Sequence, residues 1–307
     1  MKEFGILVPI VTPCTPSGEL DLPGLRAVCR DMLGAGCDSI FVAGSSGRGP
    51  WFSRQERLGI CRTVAEELGD GRPLAAGCMA SGLPDMLENA HAMADAGATI
   101  AVVTAPGYFN YNYAEVETIF ARFADASPLP VMIYDIPGFA RMTLSRDMIL
   151  RLARHGNILG FKDSTGDFER FQELVLALTD RLDVYLLQGK ERFLADSLLL
   201  GASGFVVSMV QIHPAPFVML RQAVRSGDAI GARRLQTEIG HLMDLIEGSF
   251  ALRPETSTFF HLMSQALRHR GVCENLTLEH EGECPTWLVE RAVQAVELCC
   301  QMCGLPA

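Results

Sequence analysis

The chain has 307 residues, of which 49% are hydrophobic and 20% charged, and its formal net charge is −10. This length allows one large domain with a substantial core. The acidic balance argues against a nucleic-acid partner, because phosphate backbones are bound by basic surfaces. The charged fraction is below average, which suggests that another subunit covers part of the surface.

Neither a membrane span nor a metal site is expected. The N-terminal sequence lacks the long apolar segment of a signal peptide. The longest stretch without Asp, Glu, Lys or Arg, Ser197 to Leu220, is interrupted by Gly and Pro and favours a buried strand between helices. Ten cysteines without an export signal predict reduced thiols in a cytoplasmic protein. Cys299, Cys300 and Cys303 fit a stripe of small residues on a helix better than a metal site.

Short runs rich in β-branched and apolar residues alternate along the chain with amphipathic segments of helical length. The predicted strands are Ile6–Thr12, Ser39–Ala43, Leu74–Gly77, Thr99–Thr104, Pro130–Tyr134, Ile158–Lys162, Val184–Gln188 and Gly204–Ser208. The helices predicted to follow them are Leu22–Leu33, Ser53–Leu68, Leu83–Ala94, Tyr113–Ala126, Ser145–Ala153, Asp167–Leu178, Lys190–Leu200 and Pro214–Ser226. Nearly continuous apolar strands are typical of a parallel sheet covered by helices.

Eight βα units predict an α/β fold of the (β/α)8 TIM-barrel type. A doubly wound open sheet is the alternative, but it usually has fewer units and often carries a glycine-rich phosphate turn, which is not present after the first strand. Beyond Gly227 the strand pattern stops, and three helices are predicted: Asp228–Glu247, Pro254–Arg270 and Pro285–Cys303. We divide the chain into a catalytic barrel, residues 1–226, and a C-terminal helical region, residues 227–307. That region either packs on the barrel or forms a subunit contact.

Candidate site residues lie at the carboxyl ends of the strands, where TIM-barrel enzymes bind their substrates. The second strand ends in Gly44-Ser45-Ser46-Gly47, whose glycines leave backbone N–H groups free to approach a carboxylate. Lys162 ends an apolar strand, and a desolvated amine is partly neutral and able to attack a carbonyl. A Lys162 that simply pairs with a carboxylate such as Asp163 is the alternative.

Tyr134 ends the preceding strand, so its phenol should lie close to Lys162. Hydrogen-bonded to Ser45, the phenol would shuttle protons; the alternative is a core aromatic residue with a satisfied hydroxyl.

Three motifs occur together in order and spacing: GSSG at 44–47, YDIP at 134–137 and GFKDSTGD at 160–167. They resemble the dihydrodipicolinate synthase and N-acetylneuraminate lyase family of class I, pyruvate-handling aldolases. The resemblance runs through almost the whole barrel, and the helical tail agrees with it.

The resemblance implies specific roles. Lys162 would form the Schiff base with pyruvate or another 2-keto acid, and Tyr134 would relay protons with Ser45. The turn that contains Gly44, Ser45, Ser46 and Gly47 would hold the substrate carboxylate. Tyr108 would complete the relay from a neighbouring subunit, and Gly189 and Val206 would lie near the substrate. These roles need no metal or organic cofactor, and the family is commonly a homotetramer built from dimers.

Three departures from the synthase pattern concern the substrate, and one of them is the usual tyrosine pair after the fourth strand, which is reduced here to Gly107-Tyr108. The synthase branch usually has an Arg for a second carboxylate where this chain has Phe139, and a Glu where it has Arg48. The motifs are closer to those of 2-keto-3-deoxy sugar-acid aldolases, so we favour aldol cleavage or dehydration of such an acid. The alternatives are dihydrodipicolinate synthesis from pyruvate and aspartate semialdehyde, an aromatic hydratase-aldolase, and a non-catalytic regulator that binds a keto acid. Phe139, Trp51 and Phe52 are candidates for an aldehyde pocket or for packing.

Overall fold

The computed structural model describes residues 2–181 and 183–306. Its eight strands are parallel and close into a barrel in chain order, with β8 paired to β1. The strands are β1 Gly5–Pro9, β2 Ser39–Val42, β3 Leu74–Gly77, β4 Ile100–Val103, β5 Val131–Asp135, β6 Ile158–Asp163, β7 Tyr185–Gln188 and β8 Gly204–Phe205. The predicted (β/α)8 barrel is confirmed.

Helices surround the barrel and continue beyond it. They are α1 Leu22–Gly34, α2 Arg54–Leu68, α3 Leu83–Asp95, α4 Tyr113–Ala126, α5 Pro137–Ala140, α6 Arg146–Leu152, α7 Phe168–Leu178, α8 Leu194–Leu200, α9 Ala215–Arg225, α10 Ala229–Leu252, α11 Thr256–His269 and α12 Thr286–Cys303. Short 3₁₀ turns lie at Glu191–Phe193, Met209–Gln211 and Glu279–Glu281. None of the helices in the described ranges is both long and apolar enough to cross a membrane.

Four boundaries differ from the sequence prediction by three residues or more, and one of these is the end of α10, at Leu252 rather than Glu247. The first strand ends at Pro9 rather than Thr12, because the N–H of Val11 donates to the side chain of Gln211 at 2.8 Å and not to a neighbouring strand. The last strand ends at Phe205 rather than Ser208, where the chain turns towards a 3₁₀ segment. Helix α8, which follows β7, begins at Leu194 after a 3₁₀ turn, and not at Lys190.

The strands separate two apolar layers. Alternate residues point into the barrel, and this interior layer comprises Leu7, Phe41, Ala75, Ile100, Val102, Met132, Tyr134, Leu187 and Val206. The larger layer lies between the strands and the helices and continues into α10–α12. Because the interior layer is filled with side chains, a ligand has access to the barrel only at its ends.

The C-terminal helical region packs on the carboxyl end of the barrel, which was one of the two predicted arrangements. Arg48, in the turn after β2, forms a bidentate ion pair with Glu281 (2.7 and 3.0 Å) and donates to the carbonyl of Leu276. Its guanidinium also lies 3.3 Å from the ring centre of Phe260. Arg48 therefore joins the barrel to the C-terminal region.

Candidate active site

A bulge in β6 determines which residues of β5 and β6 face each other. The pairing moves from Val131 opposite Ile158 to Met132 opposite Gly160, so Leu159 is the extra residue. An uninterrupted register would place Phe161 opposite Tyr134 and turn Lys162 to the other face. With the bulge, Tyr134 lies opposite Lys162.

Lys162 is buried in an aromatic environment, with 4% of its surface exposed. Its Nζ lies 3.8 Å from the ring centre of Tyr134 and 5.5 Å from that of Phe41. Desolvation lowers the pKa of the Lys162 amine to about 7, although the nearby Glu191 carboxylate acts in the opposite direction. Asp163, the alternative partner, instead pairs with Arg170 at 2.5 Å.

The phenol of Tyr134 is also buried, and burial raises its pKa above the ordinary value for tyrosine. A hydrogen bond with the Ser164 hydroxyl, on the loop after β6, acts in the opposite direction. Ser45, the neighbour predicted from the sequence, lies on the turn after β2 and lines the second cavity, while Ser164 lies two residues after Lys162. At neutral pH the phenol is therefore protonated and has a hydroxyl neighbour.

The turn after β2 is held in a tight conformation. Ala43 and Arg48, on either side of the GSSG segment, both have a φ of 53°, which is uncommon for residues other than glycine. A Cβ at Gly49 would lie 2.0 Å from the Ala43 carbonyl oxygen, so only glycine fits there. The Ser46 and Ser208 hydroxyls are 2.7 Å apart. Among the described residues, the N–H groups of Ser45 and Ser46 donate no backbone hydrogen bond.

Two adjoining cavities open at this end of the barrel. The first, of about 640 Å³, contains Lys162 and is lined on one side by polar residues of the loops after β6, β7 and β8. These polar residues are Ser164, Lys190, Glu191, Arg192 and Ser208, together with Glu247 of α10. The second cavity, of about 380 Å³, contains Ser45 and Ser46 at one end and has aromatic walls. Tyr134, Ile136, Phe139 and Ser208 line both, so the two are contiguous.

The remaining residues predicted for the site fall into two groups. Gly189, Val206 and Phe139 line the first cavity. Gly44 and Gly47 lie outside the lining of both cavities, and a Cβ at Gly47 would meet the Ile10 carbonyl oxygen at 2.7 Å. Their absence of a side chain lets the turn pack against the barrel.

Three aromatic residues considered for the site lie away from both cavities. Tyr108 is 76% exposed and contacts Phe109. Trp51 is exposed and stacks on His280, and Phe52 is buried in the core. Trp51 and Phe52 therefore do not line the cavities.

Several residues that the fold brings to the candidate site were not predicted from the sequence. Glu191 enters the first cavity from the 3₁₀ turn after β7 and accepts a hydrogen bond from the N–H of Met209 at 3.3 Å. Burial raises its pKa. Met243, Phe250 and Phe259 come from the C-terminal helices. The sequence feature that could have identified Glu191 as a site residue is its position two residues after Gly189, just beyond the end of a barrel strand.

Known proteins resemble this chain along most of its length. Residues 2–275 match the Dihydrodipicolinate synthetase family. A 4-hydroxy-tetrahydrodipicolinate synthase of Corynebacterium aurimucosum is 32% identical over 273 residues, which cover 89% of this chain and 87% of that protein.

Solved structures share the fold. YagE of Escherichia coli K12, a prophage protein of the dihydrodipicolinic acid synthase family solved in complex with pyruvate, is 25% identical, with a TM-score of 0.85 and coverage of 97% of this chain and 98% of that chain. CdNal of Clostridium difficile, solved in complex with mannosamine, has a TM-score of 0.84 at 19% identity over 95% and 98% of the two chains. Fold, matched length and sequence identity agree, and the chain belongs to the dihydrodipicolinate synthetase family of Schiff-base-forming lyases.

Proposed function

We propose that this protein cleaves or dehydrates a 2-keto-3-deoxy sugar acid through a Schiff base on Lys162. The observation that carries the proposal is the amine of Lys162, buried, with a pKa near 7, and 3.8 Å from the Tyr134 ring. A buried lysine with a lowered pKa is nucleophilic at neutral pH. The first cavity gives a small keto acid access to this amine.

The first steps build an electron sink. The neutral amine of Lys162 adds to the C2 carbonyl of the keto acid, and loss of water from the carbinolamine gives a protonated imine. Tyr134 and Ser164 would pass the protons that these steps require, and the phenol would give its proton to the departing hydroxide of the carbinolamine, which leaves as water and leaves Tyr134 as a phenolate. The N–H groups of Ser45 and Ser46, which donate no backbone hydrogen bond among the described residues, would hold the substrate carboxylate and fix the carbonyl against the amine.

The iminium then assists bond cleavage. Its positive charge forms next to the Tyr134 ring, where it favours the phenolate. The phenolate removes the proton of the C4 hydroxyl, the C3–C4 bond breaks with release of C4 as an aldehyde, and the electrons of that bond pass to the iminium to give an enamine. Protonation of the enamine and hydrolysis of the imine release pyruvate, with no metal or organic cofactor required for these steps.

The polar side of the first cavity supports a hydroxylated substrate. Glu191 and Ser208 offer acceptors and a hydroxyl to a hydroxylated carbon chain. Lys190 offers an ammonium group without an ion-pair partner within 4 Å among the described residues. Arg192 is occupied by Asp244 and Glu247 at 2.8 and 2.6 Å.

The aromatic walls of the second cavity favour another candidate, an aldol or hydratase reaction that involves an aromatic aldehyde. Phe139, Phe250, Phe259 and Phe260 line this cavity next to Tyr134. Phe139 also bears on dihydrodipicolinate synthesis, the activity in the names of several solved structures that share this fold. It occupies the position at which the resemblance places an Arg for the second carboxylate, so this chain offers no guanidinium there.

A homotetramer built from dimers remains part of the proposal. Tyr108, Phe109 and Tyr113 are exposed aromatic side chains around the start of α4. Exposed apolar groups of this size commonly lie at protein interfaces. Tyr108 would then reach the site of a neighbouring subunit, as the family resemblance implies.

Trapping tests the Schiff base. Incubation with pyruvate and borohydride should add one reduced pyruvate to Lys162, located by peptide mass spectrometry, while Lys162→Met should remain unmodified. Lys190→Met is the matched control, because it removes a neighbouring lysine of the same cavity and should leave the adduct in place. An unmodified Lys162 at saturating pyruvate would contradict the proposal.

Tyr134→Phe tests the proton relay. It keeps the ring beside Lys162 and removes only the hydroxyl. We expect kcat to fall by about 10²–10⁴-fold, the usual contribution of general acid–base catalysis, while the yield of trapped pyruvate falls much less. Steady-state kinetics and trapping on the same preparation give both values. Turnover equal to that of the wild type would remove the relay role.

Glu191→Gln tests the electrostatics of the amine. The rate of adduct formation should rise with pH through the Lys162 pKa of about 7, because only the neutral amine attacks. Since the Glu191 carboxylate raises that pKa, the Gln variant should shift the midpoint to lower pH. Asp135 also has a pKa raised to about 7 by burial, but it lies outside the cavity and its titration should not move. An unchanged midpoint would show that Glu191 carries no charge that the amine senses.

A substrate panel distinguishes the candidates. Pyruvate release should be fastest from a 2-keto-3-deoxy sugar acid, slower from the aldol adduct of an aromatic aldehyde, and slowest in the assay of condensation with aspartate semialdehyde. Phe139→Ala should impair the aromatic substrate more than the sugar acid, because Phe139 forms part of the aromatic wall. Preferential turnover of the aromatic adduct or of aspartate semialdehyde would replace the sugar-acid assignment and leave the Schiff-base chemistry intact.

A further inference from the structure

Two carboxylates lie directly behind the proposed reacting pair. Asp135 follows Tyr134 on β5, Asp163 follows Lys162 on β6, and the two aspartates face each other in the register. Because side chains alternate along a strand, the phenol and the amine point into the barrel while the carboxylates point towards the helices. Like charges directly opposite each other on neighbouring strands repel.

Arg170 of α7 joins these two carboxylates. Its Nη2 lies 2.7 Å from Asp135 Oδ2, and its Nη1 lies 2.5 Å from Asp163 Oδ2. Nη2 also donates to the Leu144 carbonyl at 2.6 Å, on the segment that returns from Phe139. The Arg170 side chain is 12% exposed and the two Asp side chains are 3% and 4% exposed, so the charges are shielded from solvent and interact strongly.

The segment that carries Arg170 is itself fixed to β6. Asp163 accepts hydrogen bonds from the N–H and the hydroxyl of Thr165, at 2.9 and 2.7 Å. Asp167 caps α7 by accepting from the N–H of Arg170 at 3.0 Å. The guanidinium therefore approaches the strands from a rigid helix start and has little freedom to follow them if they separate.

We propose that Arg170 is a positioning residue that sets the distance between the Tyr134 phenol and the Lys162 amine. This inference rests on the proposed Schiff-base function. Without two-point attachment to Arg170, the ends of β5 and β6 would lose the bridge that joins them through Asp135 and Asp163 and would be free to separate. The adjacent phenol and amine would move with them, and misplacement by about 1 Å is enough to lower a rate by about 10².

Arg170→Lys tests the inference, because an ammonium keeps the charge but lacks the planar fork that reaches both carboxylates. We expect the rate of pyruvate adduct formation at saturation to fall by about 10-fold or more, within the range for misplaced groups. The pyruvate concentration for half-saturation should change little, because Ser45 and Ser46 are not displaced. The pH midpoint should remain that of Lys162.

Arg221→Lys is the matched control. Arg221 is a buried arginine that pairs with Asp38 and also bonds the Gly36 carbonyl, at the amino end of the barrel. The Arg221→Lys substitution should lower the unfolding temperature much as Arg170→Lys does. The Arg221→Lys variant should nevertheless react with pyruvate at the wild-type rate. An equal loss of rate in both variants, or a wild-type rate in Arg170→Lys, would overturn the inference.

A second variant tests the same inference if Arg170→Lys does not fold. Arg170→Met combined with Asp135→Asn and Asp163→Asn removes all three charges together, which avoids an unpaired buried carboxylate. It should fold and form the adduct slowly, whereas adduct formation at the wild-type rate would overturn the inference.

A wild-type protein that forms no adduct would overturn both proposals. A reactive wild type with an equally reactive Arg170 variant would overturn this one alone.

Discussion

An amine kept out of water at the end of β6 is the constraint on which the candidate site depends. The charged form of a buried lysine is expensive unless an anion compensates it, and compensation by a close carboxylate would return the amine to its unreactive form. The structure satisfies both conditions. Aromatic rings surround Lys162, and Asp163, the nearest carboxylate in sequence, is directed to Arg170. Glu191 is near enough to affect the amine without forming an ion pair within 4 Å.

Because side chains alternate along a strand, the two faces of β5 and β6 present different groups. The inner face presents Tyr134 and Lys162 to the cavity, and the outer face presents Asp135 and Asp163 to α7. The bulge at Leu159 makes this division possible, since a shift of one residue exchanges the faces. In the proposed mechanism, reactivity would depend on a local irregularity of the sheet and on an ion pair outside the cavity.

The sequence was sufficient to predict the barrel, because eight apolar runs separated by amphipathic helices leave few other arrangements. It also indicated Lys162 and Tyr134, since a polar residue at the end of a buried strand is conspicuous. It could not indicate the Ser164 neighbour of the phenol or the Arg170 ion pairs, which depend on side-chain directions after the bulge. Nor could it assign Phe250 and Phe259 to the cavities, because they lie far along the chain and reach the barrel only through helix packing.

The proposed mechanism assigns chemistry and selectivity to different parts of the fold. The amine and the phenol stand on hydrogen-bonded strands, where small displacements are resisted. The cavity walls that would meet the rest of the substrate come from α5, α10 and α11, outside the sheet. Asp135 connects the two parts, because it also accepts the Leu144 N–H at 3.2 Å on the segment that follows Phe139. In the proposed mechanism, a substrate that displaces Phe139 would act on the Asp135–Arg170 pair through this segment, and accommodation of the aldehyde half would be coupled to alignment of the reacting groups.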